Sequence, residues 1–270
     1  MDGSLFVIED ETFVPTGMSR GPWSPTSLHG GPVAALLARA LCDLPTAGPM
    51  FPARFTLELL RPVALEPMRI ETSVVRPGRK VQVLEARLHR ADGTPSADSL
   101  VARATLQQIR EQPVVFPPDT PVPDDPAVGM TPPERLSPAA SFFGGGTAFH
   151  STAVEHRSPQ GGFATPGPAV DWIRVVVDLL PGDGLRPFER VVAAADFGNG
   201  ISGMLPVPDY LFVNPDLSVF LHRLPVDEWV GLDAVTHLGR EGTAVAESLL
   251  FDRDGSFGRS VQTLIVEGPA

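Results

Sequence analysis

Phe55-Thr-Leu-Glu-Leu-Leu-Arg-Pro62 reads as an alternating strand closed by an arginine, and Leu217-Ser-Val-Phe-Leu-His-Arg223 repeats it, with Arg223 lying 162 positions beyond Arg61. Outward from this pair, a Gly-Arg turn follows in each copy, Gly78-Arg79 and Gly239-Arg240, at an offset of 161. An Asp-Gly hairpin turn comes next, Asp92-Gly93 and Asp254-Gly255, again 162 apart. Each half then ends in a strand carrying Thr-Leu, at Thr105-Leu106 and Thr263-Leu264. Four landmarks in one order at a nearly constant offset mark a duplication, and a period this long means doubled domains rather than a solenoid. Any site is then expected where the two copies meet.

The bulk composition agrees. A chain of 270 residues has room for two domains, and 43% hydrophobic residues suffice for a substantial core. A net charge of −11 excludes non-specific nucleic-acid binding as the main role, because a polyanion is repelled on average. An anionic small ligand remains compatible, since it needs only a local cluster of arginines. Cys42 is the single cysteine, so no internal disulfide forms. The acidic N-terminus, Met1 to Asp10, has no signal-peptide core, and no apolar run approaches the ~18–20 residues of a membrane span. A soluble cytoplasmic protein is expected.

Residues 1–28 are turn-rich around a short apolar run at 5–8. From Pro32 the run Val33-Ala-Ala-Leu-Leu-Ala-Arg-Ala-Leu41 has helix-favouring residues and almost no polar face, which predicts a buried helix. Strands with period-two alternation are expected at 53–60, 67–76, 80–90 and 98–109. In the third, Val81, Val83, Glu85, Arg87 and His89 share one face, and Gln82, Leu84, Ala86 and Leu88 the other. Glu111 to Pro138 holds nine prolines in 28 residues, a density that forbids helix and sheet interior and marks a linker. The second half is expected from about Ser141, with a loop at Gly144-Gly-Gly146 and a strand at 169–179. Pro187 opens a helix through Phe197 that Gly198 and Gly200 stop, and strands follow at 210–222, 228–238, 242–253 and 257–267.

Each half is thus one long apolar helix followed by an antiparallel meander. A single helix and a single sheet bury themselves best when the sheet wraps the helix. The expected class is therefore α+β, a tandem or double hotdog, with domains at 1–110 and 141–270 and a linker at 111–140. Single hotdogs pair edge to edge, so two in one chain would form a pseudo-dimer, and a further dimer of double hotdogs is an open possibility.

Four places could carry chemistry. His29-Gly30-Gly31-Pro32 stands at a helix start, where free amides attract an anion or a polarised carbonyl oxygen; it also fits a plain turn. Asp196 follows three alanines inside an apolar helix, where a carboxylate is costly to bury unless satisfied, although it would also suit a residue bonding loop amides. The equivalent stretch of the first helix, Ala34–Leu41, has no carboxylate. Gln262 lies in the last strand, and Thr-Leu alignment makes Ala104 its counterpart, so the second copy again carries the polar group. Asn214, in Asn214-Pro-Asp216, also suits an ordinary turn. His29, His150, His156 and His222 lack metal-ligand spacing, and neither phosphate-loop glycines nor a Gly-x-Ser-x-Gly elbow occurs.

These motifs together resemble the thioesterase-like double-hotdog proteins related to bacterial acyl-CoA thioesterase II. Ala193-Ala-Ala-Asp196-Phe-Gly-Asn is similar to that family's helix with the catalytic Asp, and Asn214-Pro-Asp-Leu-Ser-Val-Phe-Leu-His-Arg223 to its strand ending in His-Arg. Asp227-Glu-Trp229 resembles its next turn, and Ser260-Val-Gln262 its strand with the catalytic Gln. The resemblance implies an acyl-CoA thioesterase of lipid metabolism without metal or organic cofactor. Its water-activating Asp and Gln fall on Asp196 and Gln262, and its Thr on Asn214, which offers no hydroxyl. His29-Gly30-Gly31 is similar to the helix-start motif whose amides bind the thioester carbonyl in single-hotdog relatives. The alternatives are a non-catalytic acyl-thioester or lipid-binding protein, and an enoyl-CoA hydratase. Hydratase chemistry wants an Asp/His pair in one loop-helix segment, and Asp196 has no His near it in sequence.

Overall fold

The computed structural model describes residues 3–139, 146–206 and 209–269. The expected start of the second half at Ser141 and the glycines Gly144 and Gly145 lie outside these residues. The chain opens with a hairpin, β1 (Phe6–Glu9) and β2 (Thr12–Pro15), in what reads as a turn-rich segment. Its two-residue turn places Asp10 and Glu11 at φ 44° and 62°. Such turns normally advertise themselves with Asn-Gly or Asp-Gly, and Asp-Glu hides this one.

The helix α1 (Gly30–Cys42) starts two residues earlier than expected, and Pro32 costs nothing because the first amides of a helix have no partner inside it. Every residue from Gly31 to Arg39 is buried. There follow β3 (Met50–Leu59), β4 (Met68–Arg76), β5 (Val81–Arg90) and β6 (Leu100–Arg110). The second half carries β7 (Val154–Gln160), which the sequence reading lacked, then β8 (Ala169–Val175). Its helix α2 (Pro187–Ala195) has 9 residues against 13 in α1 and is followed by the single turn α3 (Gly198–Ile201). The stretch expected as one strand from 210 breaks into β9 (Leu211–Val213) and β10 (Asp216–Leu221) around Asn214-Pro215, because proline cannot donate to a ladder. The chain ends with β11 (Val230–Leu238), β12 (Thr243–Asp252) and β13 (Gly255–Glu267).

Among the described residues all thirteen strands join one antiparallel sheet in the order β1-β2-β4-β5-β6-β3-β10-β13-β12-β11-β8-β7, with β9 added on β13. The two halves meet at β3 and β10, where Thr56 lies opposite Ser218 with their hydroxyl oxygens 3.4 Å apart. Those residues are 162 positions apart, so each faces its own counterpart and a local twofold runs through the pair. A β-bulge repeats at the same offset, between Leu88 and His89 and between Leu250 and Phe251. His89 keeps the outer face its spacing suggests and is buried there, with Ser99 Oγ 3.0 Å from Nδ1 and Glu71 Oε2 3.5 Å from Nε2.

Past the bulge the halves differ. β5 and β6 are joined by residues 91–99, β12 and β13 by Arg253-Asp254 alone. Thr56 then pairs with Thr105 while Ser218 pairs with Val261, an offset of 156. The counterpart of Gln262 is therefore Leu106, not Ala104. A shift of two keeps the face, so the first half still has an apolar residue there.

α1 lies against β3 to β6, and α2 against β8, β10 and β11. The helices run antiparallel, with the end of α1 meeting the start of α2. There Arg39 pairs with Glu189, its Nη2 donating to Oε2 at 2.8 Å, and also contacts Asp183. One apolar core spans both halves. A smaller cluster of Trp172, Trp229 and Phe251 holds Ala127, Met130 and Leu136 of the Pro-rich stretch, and Trp172 Nε1 donates to Thr131 O at 3.0 Å. Residues 125–136 of that stretch are thus laid on the sheet, while residues 111–124 are exposed.

Arg223, which closes the repeated strand, is fastened to Asp252 by Nη1···Oδ2 and Nη2···Oδ1 bonds of 2.6 and 2.7 Å. Burial alone would raise the Asp252 pKa, but the guanidinium and the amides of Val226 and Asp254 outweigh it and hold the carboxyl below the usual range. A carboxyl lowered in the folded state contributes stability above its unfolded pKa and loses it as pH falls through the folded one. Asp252→Asn is expected to reduce stability at neutral pH and to flatten the acid limb of the stability–pH profile in urea unfolding. An unaltered acid limb would contradict this.

Candidate active site

Asp196 caps the C-terminal end of α2, just after three alanines that let the helix pack closely. Its carboxylate is buried, with 3% exposure, and all its satisfaction is local. Asn214 Nδ2 donates to Oδ1 at 2.9 Å from the break between β9 and β10. Gln262 Nε2, on β13, donates to Oδ1 and to the Asp196 carbonyl, both at 3.3 Å. His29 Nδ1, at the N-cap of α1, lies 2.8 Å from Oδ2. Three of the polar residues singled out from sequence thus converge on the carboxylate of the fourth.

Nδ1 of His29 faces two demands, since the Gly31 amide also points at it from 3.1 Å. The Gly31 amide is the donor there and Nδ1 its acceptor, so the 2.8 Å approach to Asp196 Oδ2 is a close contact rather than a hydrogen bond. This His–Asp contact joins residues 167 positions apart. The absence of a nearby histidine in sequence is thereby reversed in space.

Two glycines make the approach possible. A Cβ on Gly30 would lie 2.7 Å from Asp196 Oδ2, and one on Gly31 would lie 2.7 Å from the Ala193 carbonyl and from Phe149. Phe197 ties the arrangement down, stacking on Phe149 at 5.5 Å and touching His29 and His156 at 4.7 and 4.8 Å. Asn199 is a participant that sequence reasoning passed over. Its amide donates to Gln262 Oε1 at 3.0 Å and its side chain to Asn214 Oδ1 at 3.4 Å. Only its place at the end of the Asp196 motif could have signalled it.

A cavity of about 630 Å³ opens over this cluster. His29, Gly30, Asp196, Asn199 and Asn214 form its polar end, and the rest of the wall is largely apolar, including Val33, Leu59, Val63, Phe163, Val213 and Ile265. Gln262 and Gly31 stand behind the wall. Both hydrogens of the Gln262 amide go to Asp196, and those of Asn214 to Asp196 and the Asp216 carbonyl, at 3.1 Å. The two amides therefore aim the carboxylate. Among the described residues no cluster of His, Cys, Asp and Glu could hold a metal ion.

Comparison with known proteins matches this architecture from both ends. The family model for the acyl-CoA thioesterase N-terminal domain matches residues 19–107, and that for the C-terminal domain residues 123–266. The chain belongs to the acyl-CoA thioesterase family. No curated protein matches it significantly. Among solved structures, a hot dog-fold protein from Alicyclobacillus acidocaldarius superposes with a TM-score of 0.70 at 16% identity, covering 100% of this chain and 98% of its own. The tesB protein of Mycobacterium avium subs paratuberculosis gives 0.64 at 18%, covering 96% and 94%. An acyl-CoA thioesterase II from Mycobacterium marinum gives 0.63 at 14%, covering 97% and 94%. At such identities the likeness speaks for the hotdog fold. Among the described residues no helix of this acyl-CoA thioesterase family member is long and apolar enough to cross a membrane.

Gly31→Ala would push a methyl group into a backbone carbonyl that cannot yield, and overpacking of this kind costs about 1–3 kcal/mol. A lowered denaturant midpoint with an unchanged slope is the expected result; wild-type stability would contradict the close helix contact.

Proposed function

We propose that the protein is a tandem double hotdog, with halves at 1–110 and 141–270, that hydrolyses acyl-CoA thioesters to free acid and CoA. The observation that carries this reading is a buried carboxylate, aimed by two side-chain amides and flanked by His29, at the polar end of an apolar cavity beside a helix start. Oδ1 of Asp196 is saturated by Asn214 and Gln262. Oδ2 lies against His29 and keeps a lone pair for a water on the cavity side. That water attacks the thioester carbonyl carbon and gives its proton to Asp196 as general base. The oxyanion that forms meets the amide of Gly30, which has no acceptor within the helix and borders the cavity. Collapse breaks the carbon–sulfur bond, and the proton held by Asp196 passes to the departing thiolate. Gly31 supports this from behind, and the acyl chain lies along the apolar wall. Asn214 in place of a threonine serves the same end, because its part is to orient the base.

One observation favours a second reading. The His29–Asp196 contact supplies the acid–base pair that hydration of an enoyl-CoA would require. Their direct contact leaves less room for a water held by both, which favours hydrolysis. Loss of enoyl absorbance without thiol release would reverse that order.

Thiol release from short, medium, long and aromatic acyl-CoAs tests the proposal. Asp196→Asn is expected to lower turnover by about 10²–10⁴-fold, the usual share of a general base, with little change in folding. Gln262→Ala is expected to cost less, because Asn214 and His29 still hold the carboxylate. Undiminished turnover in a folded Asp196→Asn protein would exclude the assignment.

A further inference from the structure

The duplication allows each half to be read against the other, and the strand-closing arginines differ in a way that bears on the ligand. In the second half, Arg223 is neutralised by buried Asp252. Arg61 is the counterpart of Arg223 and Arg90 that of Asp252, both at an offset of 162 and both fixed by the shared bulge. Where the second half has an arginine and an aspartate, the first half therefore has two arginines. Both converge on one acceptor: Arg61 Nη1 and Arg90 Nη2 donate to the Asp98 carbonyl, the latter at 3.3 Å. Arg90 Nε also leans on the exposed carboxylate of Asp92 at 3.3 Å. Among the described residues Arg61 forms no ion pair, and it is exposed.

Two like charges beside one carbonyl repel each other, and the exposed Asp92 carboxylate meets Arg90 alone, so an anion that joins both guanidiniums is favoured. Their position is informative as well. Arg61 borders the cavity that holds Asp196, and it is the one Arg or Lys among that cavity's described wall residues. The closed pair Arg223–Asp252 belongs to the other half, where Arg39 and Glu189 occupy the corresponding helix junction. The open arginine pair thus accompanies the half-site with a cavity, and the neutralised pair the half-site filled by an ion pair.

We infer that Arg61 and Arg90 form an anion site at the cavity rim that binds a phosphate of CoA while the thioester reaches Asp196. This rests on the acyl-CoA reading above. In a protein of net charge −11, such a site supplies local attraction for a polyanionic substrate that the surface as a whole would repel.

The test compares kcat/KM for an acyl-CoA with that for the same acyl group on pantetheine, which lacks the phosphates. Arg61→Ala and Arg90→Gln are expected to lower the acyl-CoA to acyl-pantetheine ratio roughly ten- to hundred-fold, as loss of a hydrogen bond to a charged group does. Arg90→Asp copies the second half's pair and is expected to close the site while the melting temperature holds. Acyl carrier protein as a third substrate separates two supporting outcomes. Equal loss on it and on acyl-CoA places the bound phosphate on the pantetheine arm, and loss on acyl-CoA alone places it on the nucleotide. Titration with CoA itself needs no turnover, so it reads the site even if the hydrolase assignment fails. Unchanged ratios and unchanged CoA affinity in folded variants would overturn the inference.

Discussion

The carboxylate of Asp196 occupies the space a side chain on Gly30 would need, 2.7 Å from where its Cβ would stand. This contact ties the end of α2 to the start of α1, and so joins the two halves of the chain at the point where chemistry is possible. A buried carboxylate is costly unless every lone pair is answered. Asn214 and Gln262 answer two of them from separate elements, and His29 closes on the second oxygen. The apolar cavity then borders the carboxylate. The close approach of the helices, the glycines that permit it and the bridging of strand pairs across β3 and β10 all serve this one arrangement.

Duplication explains why the arrangement exists once rather than twice. The twofold through Thr56 and Ser218 relates the Asp196 corner to the corner where Arg39 meets Glu189. One corner has become a carboxylate beside a glycine-lined helix start with an open cavity. The other has become an ion pair that fills its space and holds the helices together. Breaking a buried pair of this kind by removing one partner is strongly destabilising, at about 3–5 kcal/mol. The inert corner therefore has its own physical role as a fastening.

Much of this was legible before any coordinates. Alternation places β3 to β6 and β11 to β13 within a few residues, and the repeat of Arg61 in Arg223 indicates the join between the half-sheets. Asp196, Asn214 and Gln262 stand out because polar residues in apolar runs need partners. What sequence could not show follows from long-range geometry. The contact between His29 and Asp196 joins opposite ends of two helices. The β1–β2 turn uses Asp10 and Glu11 at positive φ, against residue preference. β7 carries Pro159 and polar residues, as an edge strand does, so its period is weak. The longer β5–β6 connection slips the apparent alignment by two residues beyond each Thr-Leu, which is why Ala104 stood in for Leu106. None of these errors moves a site residue to the wrong face, because strand faces repeat every two residues.

The central claim is that the reacting carbonyl sits between the Gly30 amide and Asp196. A crystal structure with an acyl-CoA analogue whose carbonyl is retained but whose sulfur is replaced by a methylene tests it most directly. The account predicts the carbonyl oxygen on the Gly30 amide, the carbonyl carbon facing Asp196 Oδ2 and the acyl chain along the wall of Val33, Val63 and Phe163. An analogue bound with its carbonyl away from both groups, or seated at the Arg39–Glu189 corner, would contradict it.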